Sequence, residues 1–231
     1  MATLNILSAG AAQAVVLQVI AEFKRDTGHE VLADYGAVGA MKAKAEGGAA
    51  VDVIVLTDVM INKLILNGFL SSGRFILGQV GTGAAVRAGM EIPDLASAES
   101  LRAALLATQV IVFPDPAIAT AGKIVMSCLE KLGIAETVKD RIMLFPNGNA
   151  AMNWLAVNGG AHDIGITQNT EIFPIKGVTY VAPLPEVFQA RATYSAGCVS
   201  SSSNLELAKD FVSRLTSPAA KPMLAAAGYE F

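Results

Sequence analysis

The sequence predicts an α/β protein of two lobes with a ligand cleft between them. Three observations carry this. Short aliphatic runs alternate with segments whose apolar residues recur at helical spacing. The alternation is played out twice, with an extended Gly-containing stretch, GQVGTGAAVRAG, between the two series. The 231 residues are 53% hydrophobic and 16% charged, against about 25% charged in an average domain. Roughly one residue in six is Ala, a supply of small side chains that suits helices packed closely on sheets.

The same composition excludes whole classes of function. A disordered chain needs low hydrophobicity and high net charge, whereas the net charge here is −3. A nucleic-acid footprint needs a basic balance or patch, and 17 Lys+Arg face 20 Asp+Glu. Residues 1–21 carry no charge, but Asn5, Ser8, Gln13 and Gln18 interrupt them and Gly10 sits at their centre. A spanning helix needs about 20 predominantly apolar residues, and a signal peptide needs a basic n-region. The segment therefore reads as strand, turn and helix. Two compartments stay open: the periplasm if a leader was removed, the cytoplasm if Met1 is the native start.

Taken in order, residues 4–7 form a strand and a helix starts near Ala11, with Val15, Val16, Val19, Ile20 and Phe23 on one face and Gly28 as its C-cap. Residues 30–35 are a strand and 41–46 a helix. Residues 53–56 are a continuous aliphatic run, as in a strand covered on both faces. Asp58 caps a helix over 59–66. Residues 77–87 extend away from this first unit. The second series comprises helix 100–106, strand 110–113, helix 120–132, strand 142–145, helix 150–157 and strand 164–167. A strand over 192–199 and helices over 205–215 and 219–226 close the chain. Cys128 and Cys198 have no metal-type spacing and read as buried, inert thiols.

Several kinds of chemistry lack their residues. His29 and His162 fall near strand starts, and no HExxH, GxSxG or Walker A pattern occurs. Gly78, Gly81 and Gly83 lack the following helix and acidic residue of a dinucleotide loop. No cofactor and no metal is expected. What remains is a set of small or polar loops directly after strands, where open α/β sheets bind ligands and helix starts offer N–H groups to anions. These loops are Ser8-Ala9-Gly10-Ala11, Gly36-Ala37-Val38-Gly39, Pro114-Asp115-Pro116 leading to Thr120-Ala121-Gly122, and Asn147-Gly148-Asn149-Ala150. They predict a site for a small anion.

The chain resembles type II periplasmic solute-binding proteins, in particular the molybdate-binding proteins of bacterial ABC transporters. The resemblance rests on LNILSAGA…IAEFKRDTGHEV, AKAEGGAAVDVIVLTD, FPDPAIATAGKI…LEKLG, GGAHDIGITQN and SPAAKPMLAAAGYEF. It implies two Rossmann-like lobes joined by two crossing strands, 1–80 with 192–231 and 81–191, closing on an anion by hinge motion. It further implies a monomer that serves an ABC permease and binds no nucleic acid. The family's two serine hydroxyls fall here on Ala9-Gly10-Ala11 and Ala37-Val38-Gly39, with Ser8 displaced towards the strand. Ala121, with the Thr120 hydroxyl, matches a backbone donor at a helix start. Asn149 or Ala150 matches another, and Gln168 stands where a tyrosine is common. Losing two hydroxyl donors weighs against molybdate, at roughly 1.5–3 kcal/mol per charged hydrogen bond.

The resulting ligand set is Ser8, Gly10, Ala11, Val38, Gly39, Lys42, Thr120, Ala121, Asn149 and Gln168, for an atypical oxyanion or a small carboxylate. Lys42 is one turn into its helix; Lys44 and Lys123 are further candidates. The alternative is a cytoplasmic isomerase of a small polycarboxylate, resembling trans-aconitate isomerase, with Asp115, Asp58 or deprotonated Lys42 as the general base. No residue is assigned a catalytic role by a recognisable constellation.

Overall fold

Strand β1 (Thr3–Ala9) passes through one turn of 3-10 helix (Gly10–Ala12) into α1 (Gln13–Thr27) in a computed structural model that describes residues 1–231. α1 buries Val15, Val16, Val19 and Phe23, the stripe visible in the sequence. Gly28 ends it in the left-handed region, φ 69°, donating its N–H to the Lys24 carbonyl. Next come β2 (Glu30–Gly36), α2 (Val38–Glu46), β3 (Val53–Thr57), α3 (Asp58–Leu66) and β4 (Phe75–Val80).

The middle of the chain supplies β5 (Thr82–Arg87), α4 (Ala98–Ala107), β6 (Ile111–Pro114), α5 (Thr120–Lys131) and α6 (Ala135–Val138). It continues with β7 (Ile142–Phe145), α7 (Gly148–Asn158), β8 (Ile164–Gln168), α8 (Asn169–Ile172) and β9 (Val178–Pro183). The chain ends with β10 (Ala192–Cys198), α9 (Leu205–Thr216), α10 (Lys221–Ala226) and β11 (Tyr229–Glu230). These elements divide into two units, Met1–Val80 with Ala192–Phe231, and Gly81–Arg191.

The first unit holds a six-stranded sheet in the order β11-β4-β10-β3-β1-β2. β1 pairs in parallel with β2 and β3, and β10 is antiparallel to β3 and β4. Residues 53–56 of β3 are all fully buried, as an aliphatic central strand requires. α1 and α9 pack together through Phe23 and Phe211, whose rings meet edge to face at 5.5 Å. The second unit holds a five-stranded sheet, β7-β6-β8-β5-β9, with β6, β7 and β8 parallel and β5 antiparallel to both its neighbours.

A buried aspartate stands just before a buried strand in each unit. Asp52 accepts from the Asn5 N–H at 2.7 Å and the Ser202 hydroxyl at 2.5 Å. Asp163 accepts from the Val110 and Gly160 N–H groups at 3.0 and 2.7 Å. These carboxylates serve backbone groups that burial would otherwise strand without partners.

The structure differs from the sequence expectations at definable places. Residues 77–87 are two strands belonging to different sheets, broken at Gly81. α2 begins at Val38 rather than Met41, because Val38 joins Met41 and Ala45 on its buried face. Likewise α7 begins at Gly148, where Asn147 caps it through the Ala150 N–H. Asp58 is no N-cap: Thr57 holds that position, and the Asp58 carboxylate accepts from Ser195, Arg74 and Asn62. The half-buried edge strand β9 and the short α8 carry too little periodicity to stand out. Cys128 and Cys198 are free, buried thiols, pushed up to about 12 and about 11 by burial. No helix is long and apolar enough to cross a membrane.

Candidate functional site

In the first unit, β1 and β2 lie side by side in register, Ala9 opposite Gly36, so their exit loops leave the same edge of the sheet as neighbours. Gly10, Ala11 and Ala12 are buried, and no side chain caps the start of α1 or of α2. Val38 is buried at the start of α2, while Gly39 is exposed. Ser8 is fully buried, and its hydroxyl donates to the Ala9 carbonyl at 3.0 Å. It lies opposite Tyr35, whose buried hydroxyl has no partner. Burial pushes the Tyr35 phenol up to about 12, so it remains a neutral donor.

The expected cation, Lys42, is paired within its own helix. Lys42 Nζ is 2.6 Å from Glu46, one turn further along α2, and Lys44 pairs with Asp34. An i,i+4 pair on an exposed helix face is the ordinary fate of such a lysine, and the sequence pattern KAKAE already contained it. Lys42, expected as an anion ligand, is held here by Glu46.

In the second unit, Thr82 on β5 stands opposite Gln168 on β8. Residues alternating with them, Ala84, Val86, Ile164 and Ile166, join the core formed with Ile124, Val125 and Cys128 of α5. Thr82 and Gln168 thus face α5. Thr82 is 0% exposed and its hydroxyl has no partner. α5 itself starts at Thr120 and Ala121 without a side-chain cap. A Cβ added to Gly122 would lie 2.1 Å from the Pro114 carbonyl oxygen, so the helix backbone rests directly on the β6 exit. Asp115 makes the intervening turn, accepting the Ala117 N–H at 2.8 Å.

The opposite face of β8 is arranged differently. Glu171 is almost wholly buried, and its carboxylate accepts from the Thr167 hydroxyl at 2.6 Å, the Gly148 N–H at 3.2 Å and the Asn149 N–H. The Ala150 N–H donates to the Asn147 side chain at 2.8 Å. The first turn of α7 is therefore saturated from within. The Asn149 and Ala150 N–H groups, expected as ligand donors, are held here by an internal carboxylate and a cap. Beside this, Asn169 Oδ1 and Thr170 Oγ1 are buried without partners.

Burial pushes the Glu171 carboxyl up to about 6 from 4.5, outweighing its three hydrogen bonds. Since the folded value lies above the unfolded one, folding takes up a proton between them. The contribution of Glu171 to stability then falls as pH rises from 4.5 through about 6, leaving a penalty of about 2 kcal/mol at pH 8. Glu171→Gln, which keeps an acceptor for the two N–H groups, is expected to stabilise the protein at pH 8 by about that amount. At pH 4.5 the effect is expected to vanish. Thermal melts at both values check it; an equal effect at both would contradict it.

The structure thus brings Ser8, Gly10, Ala11, Val38 and Gly39 to one edge of the first sheet, and Thr120, Ala121 and Gln168 to one face of the second. Sequence reasoning missed Tyr35, Thr82, Thr170 and Glu171. The available signals were a tyrosine just before a Gly turn, a threonine between two glycines in an apolar strand, and the polar run QNTE after IGIT.

The comparisons agree with this architecture. The family profile described as bacterial extracellular solute-binding protein matches residues 4–230. An aconitate isomerase from Pseudomonas sp is 23% identical over 222 residues, which span 93% of this chain and 82% of that protein. The periplasmic molybdate-binding protein of Azotobacter vinelandii superposes with a TM-score of 0.80 at 23% identity, over 99% of each chain. The sulfate-binding protein SubI of Mycobacterium tuberculosis H37Rv gives 0.73 at 18% identity, over 99% of this chain and 86% of its own. At such identities the structural likeness shows a shared fold. With nearly its whole length matched by the family profile, the chain belongs to the bacterial extracellular solute-binding proteins.

Proposed function

We propose that the protein binds a small anion as the solute-binding component of an ABC transporter, acting as a monomer that delivers its ligand to a permease. The observation that carries this reading is the presence in each unit of buried, unpartnered hydroxyls at or just after strand ends: Tyr35 Oη in the first unit, Thr82 Oγ1 and Thr170 Oγ1 in the second. Leaving such a group unsatisfied costs about 1–3 kcal/mol, so within each unit these hydroxyls, in a fold whose α1, α2 and α5 starts have no side-chain cap, are fitted to serve a polar ligand. The supply is neutral hydroxyls and backbone N–H groups, to which Ser8, Gly10, Ala11, Val38 and Gly39 add in the first unit and Thr120, Ala121 and Gln168 in the second.

The likeness to molybdate- and sulfate-binding proteins supports an anion. Molybdate itself is disfavoured, since Ala9-Gly10-Ala11 and Ala37-Val38-Gly39 carry no hydroxyl. An atypical oxyanion or a small carboxylate fits the remaining donors. Calorimetric titration with molybdate, tungstate, sulfate and di- and tricarboxylates tests this: binding of one carboxylate or oxyanion at unit stoichiometry is expected, with molybdate weak. Tight, selective molybdate binding would overturn the substitution argument.

A second reading, isomerisation of a small polycarboxylate, is favoured by the 23% identity to an aconitate isomerase. Its candidate bases are all engaged: Asp58 with Ser195 and Arg74, Asp115 with the Ala117 N–H, and Lys42 with Glu46. Proton NMR of trans-aconitate with the protein in deuterated water separates the readings. Conversion to the cis isomer establishes turnover, and an unchanged spectrum over hours leaves binding alone.

A further inference from the structure

Strand β9 stops short of the start of β5. Its last residue, Pro183, stands opposite Gly83, and the chain then turns away into a 3-10 turn at Glu186–Phe188. Thr82 is left without a strand partner on that side, and a side chain takes the place of one. The Thr82 N–H donates to Gln189 Oε1 at 3.1 Å, and Gln189 Nε2 donates to the Thr82 carbonyl at 2.6 Å. The same Nε2 donates to the Leu184 carbonyl at 3.1 Å, and the Leu184 N–H donates to the Thr82 carbonyl at 3.0 Å. The Gln189 amide thus exchanges both hydrogen bonds with Thr82, as one more residue of an antiparallel strand would.

The turn that carries this amide is itself fixed. Leu184 and Phe188 are buried in the core that holds Ile124 and Val125 of α5. Thr82 is the second residue of its unit and Gln189 the third from the end, so the amide ties the chain's entry into the unit to its exit. The Thr82 side chain is 0% exposed and its hydroxyl has no partner, so no hydrogen bond of its own orients it. We propose that Gln189 is a positioning residue for anion binding: by holding both main-chain polar groups of Thr82, it fixes the Thr82 hydroxyl on the α5 side of the sheet for donation to the anion. The proposal rests on the anion-binding reading above. Gln189 needs no contact with the ligand, because it acts through Thr82. The effect is one of geometry, since a hydrogen bond weakens steeply as its donor leaves the line to the acceptor. A donor held in place beforehand also loses less freedom on binding than one that must be ordered.

The test is a double-mutant cycle read by calorimetric titration with sulfate, molybdate, succinate and citrate. It uses the wild-type chain, Gln189→Met, Thr82→Val and the variant carrying both. Methionine keeps the unbranched length of the side chain and removes both polar groups, while Thr82→Val leaves intact the main-chain groups that Gln189 holds. Gln189→Met is expected to weaken binding of the anion that wild type takes by about tenfold. In the Thr82→Val background the same change should cost less than twofold, because the hydroxyl it positions is already gone. The thermal midpoint should fall by a few degrees on Gln189→Met in both backgrounds, which separates the loss of a structural contact from the loss of positioning. Gln189→Glu, which keeps the acceptor for the Thr82 N–H and loses only the donor, carries the same cycle if Gln189→Met does not fold. Unchanged affinity in the Gln189 variants, or an equal loss with and without the Thr82 hydroxyl, overturns the proposal while leaving anion binding intact. Binding of none of the four anions by the wild-type chain removes the anion reading itself, and this proposal with it.

Discussion

Gly122→Val is expected to destabilise the protein by about 3 kcal/mol or more and to abolish ligand binding. The reason is geometric. The Cβ position of residue 122 lies 2.1 Å from the Pro114 carbonyl oxygen, 2.7 Å from the Pro116 nitrogen and 2.8 Å from the Asp115 carbonyl carbon. All three are backbone atoms of the tight turn that leaves β6, so no side chain can rotate away to make room. Overpacking commonly costs about 1–3 kcal/mol when side chains can shift, and here the backbone of α5 must move instead. Lifting α5 off the β6 exit carries the Thr120 and Ala121 N–H groups away from Thr82 and Gln168, and it loosens Ile124, Val125 and Cys128 in the core. Chemical denaturation and calorimetric titration read the two effects. Wild-type affinity in the variant would mean that the α5 start does not hold the ligand.

Thr82→Val is expected to move stability and binding in opposite directions. The substitution keeps the shape of a side chain that is 0% exposed and exchanges for a methyl group a hydroxyl that has no partner. Removing a buried unsatisfied group should stabilise the ligand-free protein by about 1 kcal/mol. The same hydroxyl, donating to a bound anion, is worth roughly 1.5–3 kcal/mol, so affinity should fall about 10- to 100-fold. Thr82→Ser should restore binding. A structural threonine would give the reverse stability sign, and an unchanged affinity would remove Thr82 from the site.

Much of the fold was readable because its signals are local. The aliphatic run of β3, the Val15–Phe23 stripe and Gly28 each declare their structure without help from distant residues. Strand β9 was not readable, because its residues are all only partly buried or exposed and alternate weakly. The site divides in the same way. Loops after strands announce themselves as small or polar residues, and so the edges at Gly10, Val38 and Ala121 could be named in advance. Whether a donor in such a loop is free depends on contacts far apart in sequence. Glu171 reaches back 23 residues to Gly148, and Thr82 meets Gln168 across two antiparallel strands. No spacing rule reveals that one helix start is filled while another stays open.

The central claim is the proposal that the protein binds a small anion through neutral donors, Thr82 among them. Thermal unfolding of the wild-type chain with and without the anions of the titration panel tests it most directly. A ligand that binds only the native state stabilises it by about 2.7 kcal/mol at a hundred times its Kd, which raises the midpoint of a chain this size by several degrees. The account predicts such a rise with at least one carboxylate or oxyanion, growing with its concentration, and a markedly smaller rise at the same concentration in Thr82→Val. A midpoint that no member of the panel moves at millimolar concentration would contradict it.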